Sequence, residues 1–397
     1  MSKMPYGLAA SLLAAFLFAA CAIAQPAQPV SMTGTSAVAA AAPTKPAPDV
    51  IVFTNGDQLS GKLVRGVGDT IVFKSDMAGE ITVSLDKVKE LRSTGSFALL
   101  RKDVPPTRAS TSPGTVTFAD DNVTVANPEG PPEVVPVKQM GYLIDQTTYD
   151  HELERRAGPW TGWNGTVTGG ATLVRSTTNA NTFTAGVSLF RAIPTVPFLP
   201  ARNRTTLNLQ ETYGKQTNPV IPQTVPASPD LVVKTSIFHA DVERDQYFSA
   251  KFFALAQATF DHNFAQGLEL QEVYGGGIGL TPFKTAKHEL DLKADIHYEK
   301  QEFETASSNQ NLIGSTFSEA YRRTLPRKLL FTENANVLPA WNNLSAYSAN
   351  VSAALAMPLF KRLGMQFSTT DNFLNDPAPG FKKNSYQFVT GVTYTLR

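Results

Sequence analysis

Cysteine is almost absent from this chain of 397 residues, and the one thiol is Cys21. One cysteine excludes an intramolecular disulfide and any multi-thiolate metal site. Charge is also scarce. Only 17% of residues are Asp, Glu, Lys or Arg, and 35 bases against 34 acids leave a formal net charge of +1. A chain so balanced offers no basic field for a phosphate backbone, so no nucleic-acid partner is expected. Beyond the first residues, no apolar run reaches the roughly 20 positions of a membrane-crossing helix. Membrane residence would then require a closed β-barrel, which satisfies every backbone polar group within the sheet.

What is present points to turns and strands. Gly and Pro number 27 each. The start, MSKMPYGLAASLLAAFLFAACAIAQPA, joins Lys3 to an apolar run ending in Ala22-Ile23-Ala24. That is the A-x-A pattern of a secretory signal peptide, assigned to residues 1–24. Phe18-Ala19-Ala20-Cys21 is an imperfect lipoprotein box and leaves lipid attachment at Cys21 as an alternative. Residues 25–48 are Ala, Pro, Ser and Thr with almost no large apolar side chain, the composition of a disordered tether.

Residues 49–148 read as a small β module. Four short β runs at 51–54, 59–65, 70–74 and 81–85 are separated by Asn55-Gly56, Gly68-Asp69 and Ala78-Gly79. Asn-Gly is a strong tight-turn signal. Short, bent strands of this kind suit an SH3-like or Sm-like barrel. A degenerate second copy is expected, with TVTFADDNVTV set against TIVFKSD, and Val137-Lys138-Gln139-Met140 in the place of Lys87-Val88-Lys89-Glu90. Residues 149–159, with Gly158-Pro159 at the end, form a helical or irregular connector. His151-Glu152-Leu153-Glu154-Arg155 starts like a zinc-protease helix but lacks the second His, and reads as a solvated linker.

From residue 160 to 397 the pattern is long alternation. In HELDLKADIHYEKQEFE, Glu289, Asp291, Lys293, Asp295, His297 and Glu299 share one parity. Leu290, Leu292, Ala294, Ile296 and Tyr298 share the other. Soluble sandwiches also alternate. These strands are longer, aromatics favour their ends, and an export signal precedes them. About twelve antiparallel strands are expected, forming a transmembrane barrel in the cell outer membrane with the small module in the periplasm.

Alternation also assigns the faces. Leu268, Leu270, Tyr274, Ile278 and Leu280 are expected on the outer side. Arg202, Arg204, His239, Asp241, Lys251, Glu289, Asp291, Lys293, Asp295, His297, Glu299, Arg322 and Lys328 are expected to line the lumen as a salt-bridge network. A lumen of mixed sign does not by itself select cations or anions, and pairing across it can close the pore. Trp160, Trp163, Tyr213, Tyr298, Tyr386 and Tyr394, with Tyr247, Phe260 and Tyr321, are expected in an aromatic girdle facing lipid. Glu243-Arg244-Asp245 is expected as a tight periplasmic turn, and GKQTNPVIPQTVPASPD as an outer loop.

The segment from Trp160 resembles a family of salt-induced outer-membrane proteins. It is also known as the domain-of-unknown-function family numbered four hundred and eighty-one. WTGWNGTVTGGATLVRSTTNANTFTAGVSL and YFSAKFFALAQATFDHNFAQGLELQEVYGGGIGLTPFKTAKHELDL carry the resemblance. It implies an outer-membrane barrel and supplies neither catalytic residues nor a substrate.

No catalytic residue, metal or cofactor is expected. Gly275-Gly276-Gly277-Ile278-Gly279 imitates a phosphate loop but lies within a strand, where it makes room for bulky neighbours. Barrel lipases place Ser beside His, and no such pair is identifiable around His239 or His297. The readings are therefore a small-solute channel or envelope-integrity protein, a plugged binding or structural barrel, and a membrane-embedded hydrolase. Outer-membrane lipid is the expected partner. The module is expected to touch peptidoglycan or a periplasmic protein.

Overall fold

The computed structural model describes residues 47–102, 113–127, 130–154, 158–175, 179–218, 231–285 and 287–396. The expected signal peptide with Cys21, almost all of the expected tether, and most of the Pro-rich loop lie outside the described residues.

Among the described residues, nine strands build the amino-terminal module. They are β1 (Asp49–Phe53), β2 (Gln58–Val67), β3 (Thr70–Ser75), β4 (Gly79–Ser84), β5 (Val88–Arg101), β6 (Gly114–Ala119), β7 (Asn122–Ala126), β8 (Glu133–Pro136) and β9 (Met140–Asp145). In the first half, β1 pairs β2 and β5, β2 pairs β3, and β3 pairs β4. The second half repeats this pairing around the end of β5, which pairs β6 and β9, while β6 pairs β7 and β7 pairs β8. One 14-residue strand thus ends one copy and starts the next.

The correspondence differs from the sequence alignment. Each copy has a 3-10 turn before its last strand, at Leu85–Lys87 and at Val137–Gln139. Val83, Val88 and Leu91 therefore match Val135, Met140 and Leu143, and all six are buried in one core. TVTFA ends β6 and corresponds to the end of β2. Matching apolar letters alone slips by a strand, since β3 and β6 carry the near-identical TIVF and TVTF.

Asp145 caps a one-turn helix α1 (Gln146–Tyr149), accepting from the Thr148 N–H at 3.0 Å. A wide helical turn (Asp150–Glu154) continues it. Tyr149, Glu152 and Leu153 are buried, so this segment is packed and not a solvated linker.

The remaining strands close on themselves. They are β10 (Trp163–Arg175), β11 (Asn179–Ile193), β12 (Asn203–Asn218), β13 (Leu231–Tyr247), β14 (Phe252–Asn263), β15 (Leu268–Lys284), β16 (His288–Phe303), β17 (Gln310–Gly314), β18 (Phe317–Thr324), β19 (Leu330–Leu338), β20 (Ser348–Phe360), β21 (Leu363–Leu374) and β22 (Asn384–Leu396). Sequential neighbours pair antiparallel, β22 returns to β10, and β16 pairs both β17 and β18. β17 and β18 are one strand interrupted at Ser315-Thr316, so the barrel has twelve staves. The interruption arises where the Thr316 N–H turns to donate to Asp295 Oδ1 at 2.6 Å.

The outer surface follows the parity of the sequence. Val242, Ile278, Leu292, Ile296, Val337, Val351 and Val392 are exposed on it. Aromatics bound this band at both levels. Phe183 pairs Tyr213, and Tyr274 pairs Tyr298, near one end. Phe252, Phe283, Tyr321 and Phe331 lie near the other, with Tyr321 and Phe331 edge to face at 6.4 Å between centroids. Tyr274 and Phe283 are nine positions apart on β15. At about 3.3 Å per residue and a tilt of about 45°, the band is on the order of 20–25 Å tall.

Several expected placements change. Tyr247 points inward, its ring centroid 4.9 Å from that of Phe253, since it shares the parity of Asp245. Leu268 also turns inward, because the register shifts between Leu268 and Leu270. Glu243, Arg244 and Asp245 lie within β13 and not in a turn: the two acids are held by lumenal bases, and the chain reverses at 248–251 instead. Trp160 precedes β10 and is exposed outside the wall, while Trp163 begins it.

Candidate functional site: the barrel lumen

Inward charges are segregated by strand. Among the described residues, the acids are Asp241, Glu243, Asp245, Asp261, Glu289, Asp291, Asp295 and Glu299. The bases are Arg204, Lys284, Lys293 and Arg322, with His239 and His297 besides. Apart from Arg322, all sit on β12–β16. The facing wall is neutral, with Thr166, Thr184 and Ser188 on β10 and β11, and Asn336, Asn350, Ser352, Ser368, Asn372 and Gln387 on β19–β22. A cavity of about 660 Å³ lies between the two walls.

The ionic wall is built in layers. Nearest the module, Arg204 Nε donates to Asp245 Oδ2 at 2.6 Å, and Nη1 forms an ion pair with Asp291 Oδ2 at 2.6 Å. Glu289 lies 3.6 Å away, and the guanidinium sits 5.3 Å and 5.8 Å from the Phe253 and Tyr247 ring centroids. Arg322 and Lys284 reach Glu289 from beside it, at 3.4 and 3.0 Å. In the next layer Lys293 Nζ contacts Glu243 Oε1 at 2.6 Å, linking strands three apart. Asp241 and Asp261 flank His239 at 2.9 and 2.6 Å, and Asn208 donates to Asp241. Behind them, Asp295 lies 3.0 Å from His297 Nδ1, Thr316 Oγ1 lies 3.1 Å from the same nitrogen, and Gln257 donates to Asp295.

The glycines of β15 permit this packing. A Cβ at Gly275 would meet Asp295 Oδ2 at 2.9 Å, and one at Gly279 would meet the Phe253 ring at 2.1 Å. Side chains of β14 and β16 therefore meet across a strand stripped of its own. The GGGIG run makes no phosphate loop, and its position inside β15 accounts for the glycines sterically.

Three expected lumen residues lie elsewhere. Lys251 ends the turn 248–251 and Lys328 lies in the turn Pro326–Lys328. Arg202 precedes β12 and donates from Nη2 to the Glu152 carbonyl at 3.0 Å. Each sits one or a few residues beyond a strand end, where parity no longer dictates direction. The bonded partners of His239 are carboxylates, and those of His297 are Asp295 and Thr316, so neither shows a Ser–His pair.

Sequence reasoning missed the junction between module and barrel. Ala98, Leu100, Ile144, Tyr149, Leu153 and Leu199 form a second core, with Val196 and Phe198 packed on it. The signal was visible in FALL at 97–100 and LI at 143–144, runs that break alternation because both strand faces are covered. Arg65 stacks 5.3 Å from the Phe198 centroid. Glu152 accepts from the Thr195 N–H at 2.6 Å and from the Thr195 hydroxyl. Burial alone would raise its carboxyl; the Thr195 bonds and His151 outweigh burial and hold it below the usual range. A depressed carboxylate stabilises above its unfolded value of about 4.3 and loses that contribution as pH falls through its folded value. Protease cleavage within residues 194–202 should therefore rise steeply below about pH 4, and should already be fast at pH 7 in Glu152→Gln. Equal cleavage rates in the two proteins at pH 7 would remove Glu152 from the junction.

The family described as "Protein of unknown function, DUF481" matches residues 167–396. The chain belongs to that family. The DUF481 match begins inside β10 and ends with β22, so it covers the barrel and leaves out the module. No curated protein sequence matches the chain. Among solved structures, one titled "Bacterial polysaccharide outer membrane secretin" is similar at 7% identity, covering 59% of this chain and 98% of its own, with a TM-score of 0.29. The transport unit of the autotransporter AIDA-I from Escherichia coli is similar at 13% identity, covering 63% and 96%, with a TM-score of 0.28. The "CymD monoaromatic hydrocarbon channel" is similar at 8%, covering 76% and 86%, also with a TM-score of 0.28. Likenesses so distant carry no functional inference, and closure of the barrel rests on its own strand pairings.

Proposed function

We propose that this DUF481 protein is an outer-membrane barrel whose lumen is a narrow route for small solutes, favouring cations over anions. The observation that carries the reading is the division of one closed wall into an apolar outside, banded by aromatics, and an inside where eight acids face four bases. An apolar band of this height suits the outer membrane, and only barrels and helices satisfy their backbone there. Excess inward carboxylate repels anions in a low-dielectric tube, as rings of acids do in cation channels. Pairing of Arg204 and Lys293 with acids leaves the excess to the carboxylates.

Orientation follows from the connections. The turns 248–251, 325–329 and 361–362 share the end on which the module docks, while 304–309, 339–347 and 375–383 lie at the other. Short turns belong to the periplasm in bacterial barrels, so the module is read as periplasmic, a recognition unit for peptidoglycan or a protein. A role in keeping the envelope sound under stress is proposed beside it, resting on the family resemblance.

Purified protein in planar bilayers tests the reading. Heat-modifiable gel mobility is expected, together with small single-channel steps. In a tenfold KCl gradient the reversal potential should have the sign of K⁺ selectivity and should move toward zero in Asp241→Asn/Asp261→Asn. Folded, inserted protein with no conductance, or with anion selectivity, overturns it.

A further inference from the structure

The end of the barrel away from the module is bridged. The turn Phe264–Gln266 joins β14 to β15, and the loop 375–383 joins β21 to β22. β14 lies six staves from β21, and β15 six from β22, in a ring of twelve, so these connections start on opposite sides of the mouth. They nevertheless touch. Gln266 is 2% exposed, and its Nε2 donates to the carbonyls of Asn372 at 3.1 Å and Lys383 at 2.6 Å. Asn263 Nδ2 braces the Gln266 Oε1 at 2.8 Å. Gly267 has φ +66°, and a Cβ there would lie 2.7 Å from the Phe381 ring. Leu268 and Phe303 from one side meet Leu374 and Ala378 from the other in a buried cluster.

Each contact has a particular requirement. A left-handed Gly267 lets the turn fold inward, and its missing side chain lets Phe381 lie flat upon it. A buried amide whose donor and acceptor are both satisfied fixes one arrangement, since an unpartnered one is costly. Four residues of turn anchored at two carbonyls and one ring can also release together, because only a small apolar cluster accompanies them. The cavity lies directly below, and Gln266, Leu268 and Leu374 belong to its lining.

We propose that this contact is a latch: the β14–β15 turn strapped to the 375–383 loop closes the outer mouth, and its release admits solute to the cavity. The proposal builds on the channel reading but concerns access from one side only, so it is testable without current flow. Ser368 lies beneath the latch and faces the cavity. In a Cys21→Ser background, Ser368→Cys should react slowly with a bulky, membrane-impermeant maleimide applied to the outer face of proteoliposomes. Adding Gln266→Ala and Phe381→Ala should speed labelling at least tenfold. Asn342→Ala serves as the control: its side chain ties a neighbouring outer loop to Ile313 and Asn311 without crossing the mouth, and it should leave the rate unchanged. Heat-modifiable mobility confirms folding of each variant. Fast labelling with the latch intact, or an unchanged rate with it removed, overturns the proposal. Accelerated labelling without conductance would retain the latch and reject the channel.

Discussion

Arg204→Leu should destabilise the folded barrel by about 3–5 kcal/mol, the usual cost of removing one partner from a buried ionic cluster. Asp245 and Asp291 are 1% and 4% exposed, and each contacts a different nitrogen of the guanidinium. Without it, two carboxylates remain against Phe253 and Tyr247 stripped of their direct ion-pair partner. Arg204→Lys should recover only part of the loss. An ammonium cannot place charge on two diverging nitrogens toward two carboxylates while stacking on two rings. Converting both acids to Asn in the Leu background should recover more, because the penalty lies in the abandoned charges. The urea midpoint of barrel unfolding in lipid vesicles reports all four proteins. A midpoint within experimental error of the wild type for Arg204→Leu would mean that water already solvates the cluster.

That cluster illustrates how much was legible in the sequence. Parity placed Arg204, Asp241, Asp291, Lys293 and Glu299 on the lumenal face, because a strand allows only two directions and one was oily. Parity could not say which charges would meet. Arg204 reaches Asp291 across four staves, a distance set by barrel curvature and by the bare strand at Gly275, Gly277 and Gly279. The same blindness explains Glu243-Arg244-Asp245. Three charges in a row resemble a turn until Lys293 and Arg204 supply partners inside the lumen. Where strands end, direction is free, and Arg202, Lys251 and Lys328 went elsewhere. The module's last strands were harder. FALL lost its alternation by being buried on both faces, and a run without period does not announce what covers it.

The assignment of faces has its own direct consequence. Ile296 is 61% exposed, between inward Asp295 and His297, at a level between Tyr298 and Leu290. Ile296→Arg should cost roughly 2–4 kcal/mol when the barrel is unfolded from a bilayer, the penalty for a basic side chain near the midplane of the lipid face. Lys300 and Glu302 share the outward parity of Ile296 but lie beyond Tyr298, where they pair at 2.6 Å. Lys300→Ala should leave stability essentially unchanged, as an exposed surface substitution does. Four positions along one strand thus separate a tolerated charge from a prohibitive one. Water on the outer face predicts the opposite, since arginine at a well-exposed position in an aqueous sheet would be nearly neutral at residue 296 also. The contrast between the two variants, measured in vesicles of the same lipid, decides which solvent the outer face meets.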